Sequence, residues 1–466
     1  MKRIISRVGV LSLLVSVVLL PVRLALAQSA TADEEIKSIL QDRIDRVKKS
    51  VGIVVGVIDE NGARIISYGK PGQQSTQALN GDSVFEIGSA TKVFTAILLA
   101  DMVERGEVSL DDPISKYLPK SVKTPTRDGM EITLRQLSDQ TSGLPRMPSN
   151  LTPKDNQNPY ADYSVEQMYE FLSGYTLTRD IGAKYEYSNL GVGLLGHILS
   201  LRAGTDYETL VRTRICQPLK MDSTRIKLTP EMQVRLATGH SASLKPVSNW
   251  DLPTLAGAGA LRSTANDMLK FLAANLGTSK SPLLVAMQKT HQTQHDTGIP
   301  DLEIGLGWHI LKKFNTEIVW HNGGTGGYHS FIGFDQKKRK GVVVLSNSAN
   351  DIDDIGRHIL ESQYPLAKIE TPKERKEIKL DPKVFDAYVG EYQLAPGFVF
   401  TISREGDRYF SAVSGQGRFE IFAETETVFF LKVVDAQITF AEDDKGQVTH
   451  LVLHQNGVDQ RAKKTK

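Results

Sequence analysis

The hydrophobic pattern changes period several times along this chain. Over Asp33–Lys49 the apolar residues Ile36, Ile39, Leu40, Ile44 and Val47 fall on one helical face, which predicts an amphipathic helix. The runs 51–58 and 64–68 are strand-like and flank Glu60-Asn61-Gly62, which predicts a β-hairpin with an Asn-Gly turn. Phe94, Ile97, Leu98, Met102 and Val103 then recur at helical spacing, and Gly106 follows as a stop. Residues 111–297 read as a long helical and loop-rich block. Strand signals return at 307–312, 317–320, 328–335 and 341–347, the last two joined by the charged turn 336–340, and a helix follows over about 351–364. This order predicts an α+β fold: an antiparallel sheet drawn from both ends of the segment, flanked by helices in an α/β/α layering, with an all-α insertion.

Beyond this the composition shifts. Ten of the sixteen residues from Lys368 to Lys383 are charged, and Pro372 and Pro382 interrupt the stretch, as in a linker. Six short strand-like runs between Phe398 and His454, separated by Gly- and Asp-rich turns, then predict a small all-β domain, a barrel or a sandwich. At the other end Lys2, Arg3 and Arg7 precede an apolar stretch, Val8–Val22, and Ala25-Leu26-Ala27 offers a small-x-small cleavage site. The expected division is a signal peptide over 1–27, a main domain over 28–367, a charged linker over 368–383 and a small all-β domain over 384–466. The protein is expected to be exported, to the periplasm or the exterior, with no stable membrane span after cleavage; an uncleaved anchor is the alternative.

Composition narrows the function. With 40% hydrophobic and 24% charged residues, a net charge of +2 and no concentrated basic block, nothing points to nucleic acid. Cys216 is the single cysteine, so no intrachain disulfide forms; it lies far from the cleavage site and reads as a packed thiol.

Three short patterns carry the chemistry. Ser89-Ala90-Thr91-Lys92 opens an apolar helix, where residues three apart share a face, so Lys92 can reach Ser89. An alcohol needs an adjacent base to be nucleophilic, and burial or a helix N-terminus can lower a lysine enough to serve. A second Ser-x-x-Lys, Ser67 to Lys70, lies on a strand-like run, where residues three apart point to opposite faces, and is set aside. Tyr187-Ser188-Asn189 ends a loop and opens another apolar helix. A tyrosine beside a cation can lose its proton more readily and act as base or relay, and an asparagine can bond a substrate carbonyl or hold the lysine; a loop tyrosine with an N-cap asparagine is the plain alternative. Residues 320–328 hold His321, Gly323 and Gly324 in a glycine-dense segment between strand signals. Its backbone N–H groups could complete an oxyanion hole with that of Ser89, and His321 could bind a carboxylate or pass protons; a glycine-rich hairpin turn is the alternative. His291 and His295 are four apart without a His-Glu-x-x-His pattern, and no Gly-x-Ser-x-Gly occurs, so neither a metal site nor an α/β-hydrolase is expected.

Together these residues resemble the serine β-lactamases and penicillin-binding DD-peptidases, most closely the class C β-lactamase-like branch, which also contains esterases and D-amino-acid peptidases. The family's Ser-x-x-Lys, Tyr-x-Asn and Lys/His-x-Gly motifs occur in order at Ser89/Lys92, Tyr187/Asn189 and His321/Gly323, with similar supporting stretches at 136–145, 257–264 and 305–308. The resemblance covers about 34–364 and implies the corresponding fold. It implies that Ser89 attacks an amide or ester carbonyl while Lys92 and Tyr187 take its proton. The N–H groups of Ser89 and Gly324 hold the oxyanion, Tyr187 protonates the leaving group, and water hydrolyses the acyl-enzyme. Asn189, His321, Gly323 and Gly324 are the implied substrate-binding residues, with neither cofactor nor metal, and a small molecule or peptide is the implied partner. The expected protein is an exported serine hydrolase of β-lactam or D-amino-acid peptide amides. The alternatives are a carboxylesterase of the same fold and a penicillin-binding sensor that barely turns over.

The chain departs from the β-lactamases at His321, where they carry lysine. An unperturbed histidine loses its charge above about pH 6.5 and would hold a substrate carboxylate less firmly there. His321→Lys is therefore expected to shift the enzyme toward carboxylate-bearing β-lactams; an unchanged rank of substrates, compared by kcat/KM across pH, would refute this.

Overall fold

A computed structural model describes residues 32–368, 375–395, 398–414, 417–432, 434, 436–455 and 458–466. The expected signal peptide and residues 369–374 of the expected linker lie outside the described residues. No helix among the described residues is long and apolar enough to cross a membrane.

The main domain is built on one eight-stranded antiparallel sheet. In chain order it contains β1 (Gly52–Asp59) and β2 (Gly62–Gly69), then β7 (His295–Ile299), β8 (Leu302–Ile304), β9 (His309–Lys313), β10 (Thr316–Gly324), β11 (His329–Asp335) and β12 (Lys340–Ser346). Its spatial order is β2-β1-β12-β11-β10-β9-β8-β7, so the first hairpin joins the late strands through β1 and β12. Two small ribbons, β3 (Val84–Glu86) with β6 (Arg262–Thr264) and β4 (Thr126–Arg127) with β5 (Met130–Glu131), belong to the helical insertion.

Strand side chains alternate between two buried faces. Val54, Ile332, Phe334, Val343 and Leu345 join the large core shared with the helical block. Ile53, Val55, Val57, Phe331, Val342 and Val344 join a second core beneath the terminal helices. Covering both faces explains why these strands read as nearly continuous apolar runs. The N-terminal helix runs over 32–41 and continues into a π turn at Asp42–Arg46. Buried Arg43 pairs with Asp354 of the Asp353–Leu360 helix, tying the two terminal helices together on that face.

Three local expectations need correction. In the first hairpin Asp59 pairs with Gly62, so Glu60 and Asn61 form the loop and Gly62, at φ +99°, closes it. The positive φ explains the glycine, one position later than an Asn-Gly centre. Residues 295–304 form the edge hairpin β7–β8, where no strand was expected and the helical and loop-rich block was read as far as 297, because their polar, Gly- and Pro-containing sequence hides the alternation. Finally, His321, Asn322, Gly323 and Gly324 lie in β10 and pair with β11, so the turn begins only at Thr325.

The Thr91–Glu104 helix is buried on all sides from Thr91 to Met102, as a central helix must be if it is apolar all round. Its polar side chains grip the segment that follows Leu255. Thr95 Oγ1 donates to Gly257 O at 2.7 Å, Lys92 Nζ lies 2.7 Å from Ala258 O, and Leu261 N donates to Thr91 Oγ1 at 3.2 Å. The Asn189–Ala203 helix closes on the same segment, glycine against glycine at Gly196 and Gly257.

The C-terminal domain is a closed barrel of eight antiparallel strands between Gly390 and Lys464. Phe385, on the short Pro382–Phe385 helix, stacks on Tyr409 at 4.2 Å and meets Phe429 edge-on at 5.1 Å within its core. The last part of the charged stretch attaches to this barrel: Ile378 N donates to Ala423 O, Arg375 pairs with Glu424, and Leu380 is buried. Over 375–383 the charges decorate a segment held to the barrel by the Ile378 backbone and the buried Leu380.

The glycine contact generates a prediction. A Cβ at Gly257 would lie 2.9 Å from Gly196 Cα and 3.0 Å from Val192 O, both backbone atoms. Gly257→Ala is expected to destabilise the protein by about 1–3 kcal/mol and to displace Ala258 O, lowering turnover as well. Thermal unfolding and kcat measured on one preparation check this; an unchanged melting temperature refutes it.

Candidate active site

Ser89 sits in a tight 3-10 turn, Gly88–Ala90, immediately before the central helix. Gly88 adopts φ +50°, and a Cβ there would come within 2.9 Å of Gly324 N. The turn is pinned from both sides. Ile87 N donates to Leu261 O at 3.1 Å, and Ile87 O accepts Ser330 Oγ at 2.7 Å. Gly323 is required by the same contact, since a Cβ on it would lie 1.9 Å from Ile87 O and 2.8 Å from Ser89 N. Gly324 has open space at its Cβ position and lines the cleft, so its contribution is its backbone. The glycines thus let a sheet strand run against the serine turn, bringing the Gly324 and Ser89 backbones together on one side of the hydroxyl.

Lys92 is fully buried. Its Nζ lies 3.0 Å from Ser89 Oγ, 2.8 Å from Asn189 Oδ1 and 2.7 Å from Ala258 O. Burial holds its pKa well below the ordinary 10.5, and the positive Arg146 adds to the effect. A neutral amine has two N–H bonds and one lone pair. Asn189 Oδ1 and Ala258 O can only accept, so they take both N–H bonds and the lone pair is left facing the Ser89 hydroxyl. The arrangement suits removal of that proton.

Tyr187 hydrogen-bonds Ser89, and its ring lies 4.8 Å from Lys92 Nζ and 5.0 Å from Arg146 Cζ. The expectation that a neighbouring cation eases its deprotonation needs correction. Burial pushes the hydroxyl up to about 12, and Ser89 and Arg146 offset only part of that. Tyr187 therefore keeps its proton at neutral pH and is suited to relay one. Asn189 holds the lysine through Oδ1, while its Nδ2 faces Met147 Sδ at 3.6 Å. The helix cap is Ser188, whose Oγ accepts Gly191 N at 2.8 Å, and Asn189 is the first helical residue. The stretch 140–146 clamps this loop. Gln140 Oε1 accepts Ser188 N at 2.7 Å, Ser188 Oγ donates to Pro145 O at 2.7 Å, and Arg146 O accepts Asn189 N at 3.0 Å.

His321 lies behind this group, its ring 6.2 Å from Tyr187 and 5.1 Å from His309, and its Nδ1 2.5 Å from Asn322 O. Burial holds it well below its ordinary range, and the neighbouring His309 and Lys92 further oppose a positive charge on it. His309, bonded to Tyr185 at 2.9 Å, is lowered to about 4, chiefly by burial. His321 is thus neutral across the physiological range and carries no charge with which to hold a carboxylate, which corrects that part of its expected role. Dismissal of Ser67 agrees with its position: its Oγ donates to Leu79 O at 2.9 Å on β2. Cys216 is buried, with its thiol pushed up to about 12 by burial. Among the described residues His329, Asp351 and Asp353 form a group with metal-ligand spacing. Both Asp353 oxygens are already taken there, by His329 Nε2 at 3.0 Å and Asn322 Nδ2 at 2.6 Å.

A narrow cleft opens over Ser89 between Asn189 and Gly324, with apolar walls from Met147, Tyr160, Trp250, Leu252 and Leu255. Sequence reasoning gave no role to Ala258, which lies within the stretch 257–264, or to Arg146. The first acts through a backbone carbonyl, which has no residue signature, and the second lies one residue beyond the quoted stretch 136–145.

Known proteins are similar to this chain in sequence and fold. The family model described as Beta-lactamase matches residues 40–361, and a domain of unknown function, DUF3471, matches 374–464. "Penicillin-binding protein 4*" of Bacillus subtilis is 27% identical over 86% of this chain and 92% of its own length. "D-alanyl-D-alanine-carboxypeptidase/endopeptidase AmpH" of Escherichia coli is 30% identical over 68% of this chain and 86% of its own. Among solved structures, a "Beta-lactamase/D-alanine Carboxypeptidase" of Yersinia pestis superposes with a TM-score of 0.63 at 26% identity. The match covers 71% of this chain and 97% of that one.

The buried amine makes the pH profile diagnostic. The base must be unprotonated, so activity is lost only as pH falls through the lowered Lys92 pKa. Tyr187, at about 12, adds no alkaline loss in the ordinary range. With an uncharged substrate, kcat/KM is expected to reach its plateau well below the ordinary lysine pKa and to fall as pH drops through the lowered Lys92 value. A profile over about pH 5–10 that still climbs toward the ordinary lysine value refutes Lys92 as base.

Proposed function

The chain belongs to the beta-lactamase family, and from that premise we propose that it is an exported, class C-like serine hydrolase cleaving amide bonds in D-amino-acid peptides through an acyl-enzyme on Ser89. At the coarser level it is a serine hydrolase acting on a small molecule or peptide. The finer reading rests on one observation: buried Lys92, its pKa lowered by burial, places Nζ against two carbonyl acceptors and Ser89 Oγ, so that once unprotonated both N–H bonds are taken and its lone pair faces Ser89.

In this reading Lys92 takes the Ser89 proton as Oγ attacks the carbonyl carbon. The oxyanion forms beside the N–H groups of Ser89 and Gly324, which need no reorganisation to receive it. The proton passes from Lys92 through Tyr187, whose high pKa keeps it a donor, to the leaving nitrogen, and the C–N bond breaks. Water then enters, gives its proton to the same relay and releases the acid, restoring the serine. Asn189 holds Lys92 with Oδ1 and offers Nδ2 toward the cleft, where a substrate amide carbonyl can accept it. Gly323 allows the close approach of strand and serine turn.

Neutral His321 lacks the charge of the lysine found in β-lactamases and so supplies no inner anchor for a carboxylate. The similarity to a protein named as a D-alanyl-D-alanine carboxypeptidase/endopeptidase supports D-amino-acid peptides as the substrate class. Export rests on the basic, apolar and small-x-small pattern of residues 2–27.

Purified mature protein assayed with a D-Ala-D-Ala peptide, nitrocefin, p-nitrophenyl esters and a fluorescent penicillin tests the reading. Release of D-alanine with only transient penicillin labelling is expected. Turnover of esters alone would make it a carboxylesterase, and stable labelling without turnover a sensor. Ser89→Ala is expected to lower turnover by several orders of magnitude with an unchanged melting temperature; retained hydrolysis would overturn the assignment of the nucleophile.

A further inference from the structure

We propose that Arg146 is the substrate-anchoring cation of this enzyme, holding a carboxylate of the substrate at the rim of the cleft beside Tyr187. The inference rests on the reading of Ser89 as nucleophile and names a feature of the substrate that it accepts.

Position comes first. The Arg146 carbonyl accepts both Asn189 N at 3.0 Å and Leu190 N at 3.3 Å, which fixes this residue to the start of the helix carrying Asn189. Its guanidinium carbon lies 5.0 Å from the Tyr187 ring centroid, and the next residue, Met147, lines the cleft. Its charge reaches Lys92, Tyr187, Tyr160 and Tyr185, four groups around the cleft.

Availability comes second. Arg146 is exposed, and among the described residues its guanidinium makes no ion pair or hydrogen bond. Three other cations of this domain are committed elsewhere. Arg179 pairs with Glu186 at 2.5 Å, Arg262 pairs with buried Glu86 at 3.1 Å, and Lys92 is turned inward onto Ser89. An arginine resting on a tyrosine face with its donors unused is pre-organised for a planar anion, which it can engage with two parallel hydrogen bonds.

Need comes third. His321 occupies the position where β-lactamases carry a lysine, yet it is buried and neutral. With the inner site uncharged, a carboxylate would be recognised from the rim. A guanidinium keeps its charge throughout the working range, so this recognition does not fade above neutrality as recognition by a histidine would.

The carboxylate can belong to the leaving amino acid or to the acyl portion, and matched substrate pairs separate the two. The first pair is an acetylated D-Ala-D-Ala peptide and its C-terminal amide. The second is mono-p-nitrophenyl succinate and p-nitrophenyl butyrate. The readout is the kcat/KM ratio of charged to neutral partner in wild type, Arg146→Gln and Arg146→Lys. The wild-type ratio is expected to exceed about tenfold in at least one pair, to fall toward parity in Arg146→Gln, and to recover in part in Arg146→Lys. It is expected to hold constant over about pH 6–9 and to shrink with added salt, as an exposed charge contact must. Which pair responds locates the carboxylate. A wild-type ratio near one in both pairs, or a ratio that Arg146→Gln leaves unchanged, overturns the proposal. If wild type turns over the esters but neither peptide, the amidase reading fails while the ester pair still decides the role of Arg146.

Discussion

The structure depends on keeping one amine dry. A lysine buried as an ammonium among apolar side chains would carry a desolvation cost of several kcal/mol. The cost falls when the group sheds its proton and satisfies what remains. Asn189 Oδ1 and Ala258 O do so at 2.8 and 2.7 Å. That solution constrains the surroundings: the central helix must be covered on every side, the segment after Leu255 must present a carbonyl inward, and the Asn189 helix must start where its amide reaches Nζ. Thr91 and Thr95, on either side of the lysine, bond the same segment and hold it in register.

The site therefore separates neutral chemistry inside from charge outside. Burial disfavours the charged forms of Lys92 and His321 and holds the Tyr187 proton in place. In that low-dielectric interior, backbone N–H groups aimed at an incipient oxyanion act more strongly than they would in water. Arg146 stands at the boundary, close enough to bias the interior groups and exposed enough to meet a substrate.

The sheet supplies rigidity where geometry matters most. β10 and β11 run beneath the serine turn, contacting it through Gly323 and through Ser330 Oγ on Ile87 O. β10 is flanked by strands on both sides and covered on both faces, so its position is overdetermined. Small residues are needed where the serine turn meets this strand and where Gly196 meets Gly257, because backbone there faces backbone.

Much of this could be read from the chain alone. The two hydrophobic periods, the turn residues and three ordered motifs carry the fold class, the helical insertion, the all-β appendage and the grouping of Ser89, Lys92, Tyr187 and Asn189, because each leaves a local mark in residue type or spacing. The β7–β8 edge hairpin was hidden by a polar sequence with little alternation, and the strand character of His321 to Gly324 by glycines that serve close approach instead of a turn. Tertiary structure alone decided how these groups titrate, since burial by distant segments lowers Lys92 and His321 and raises Tyr187. It alone also revealed the Ala258 carbonyl and the free guanidinium of Arg146. Spacing records which groups can meet; how dry they are when they meet depends on every segment packed around them.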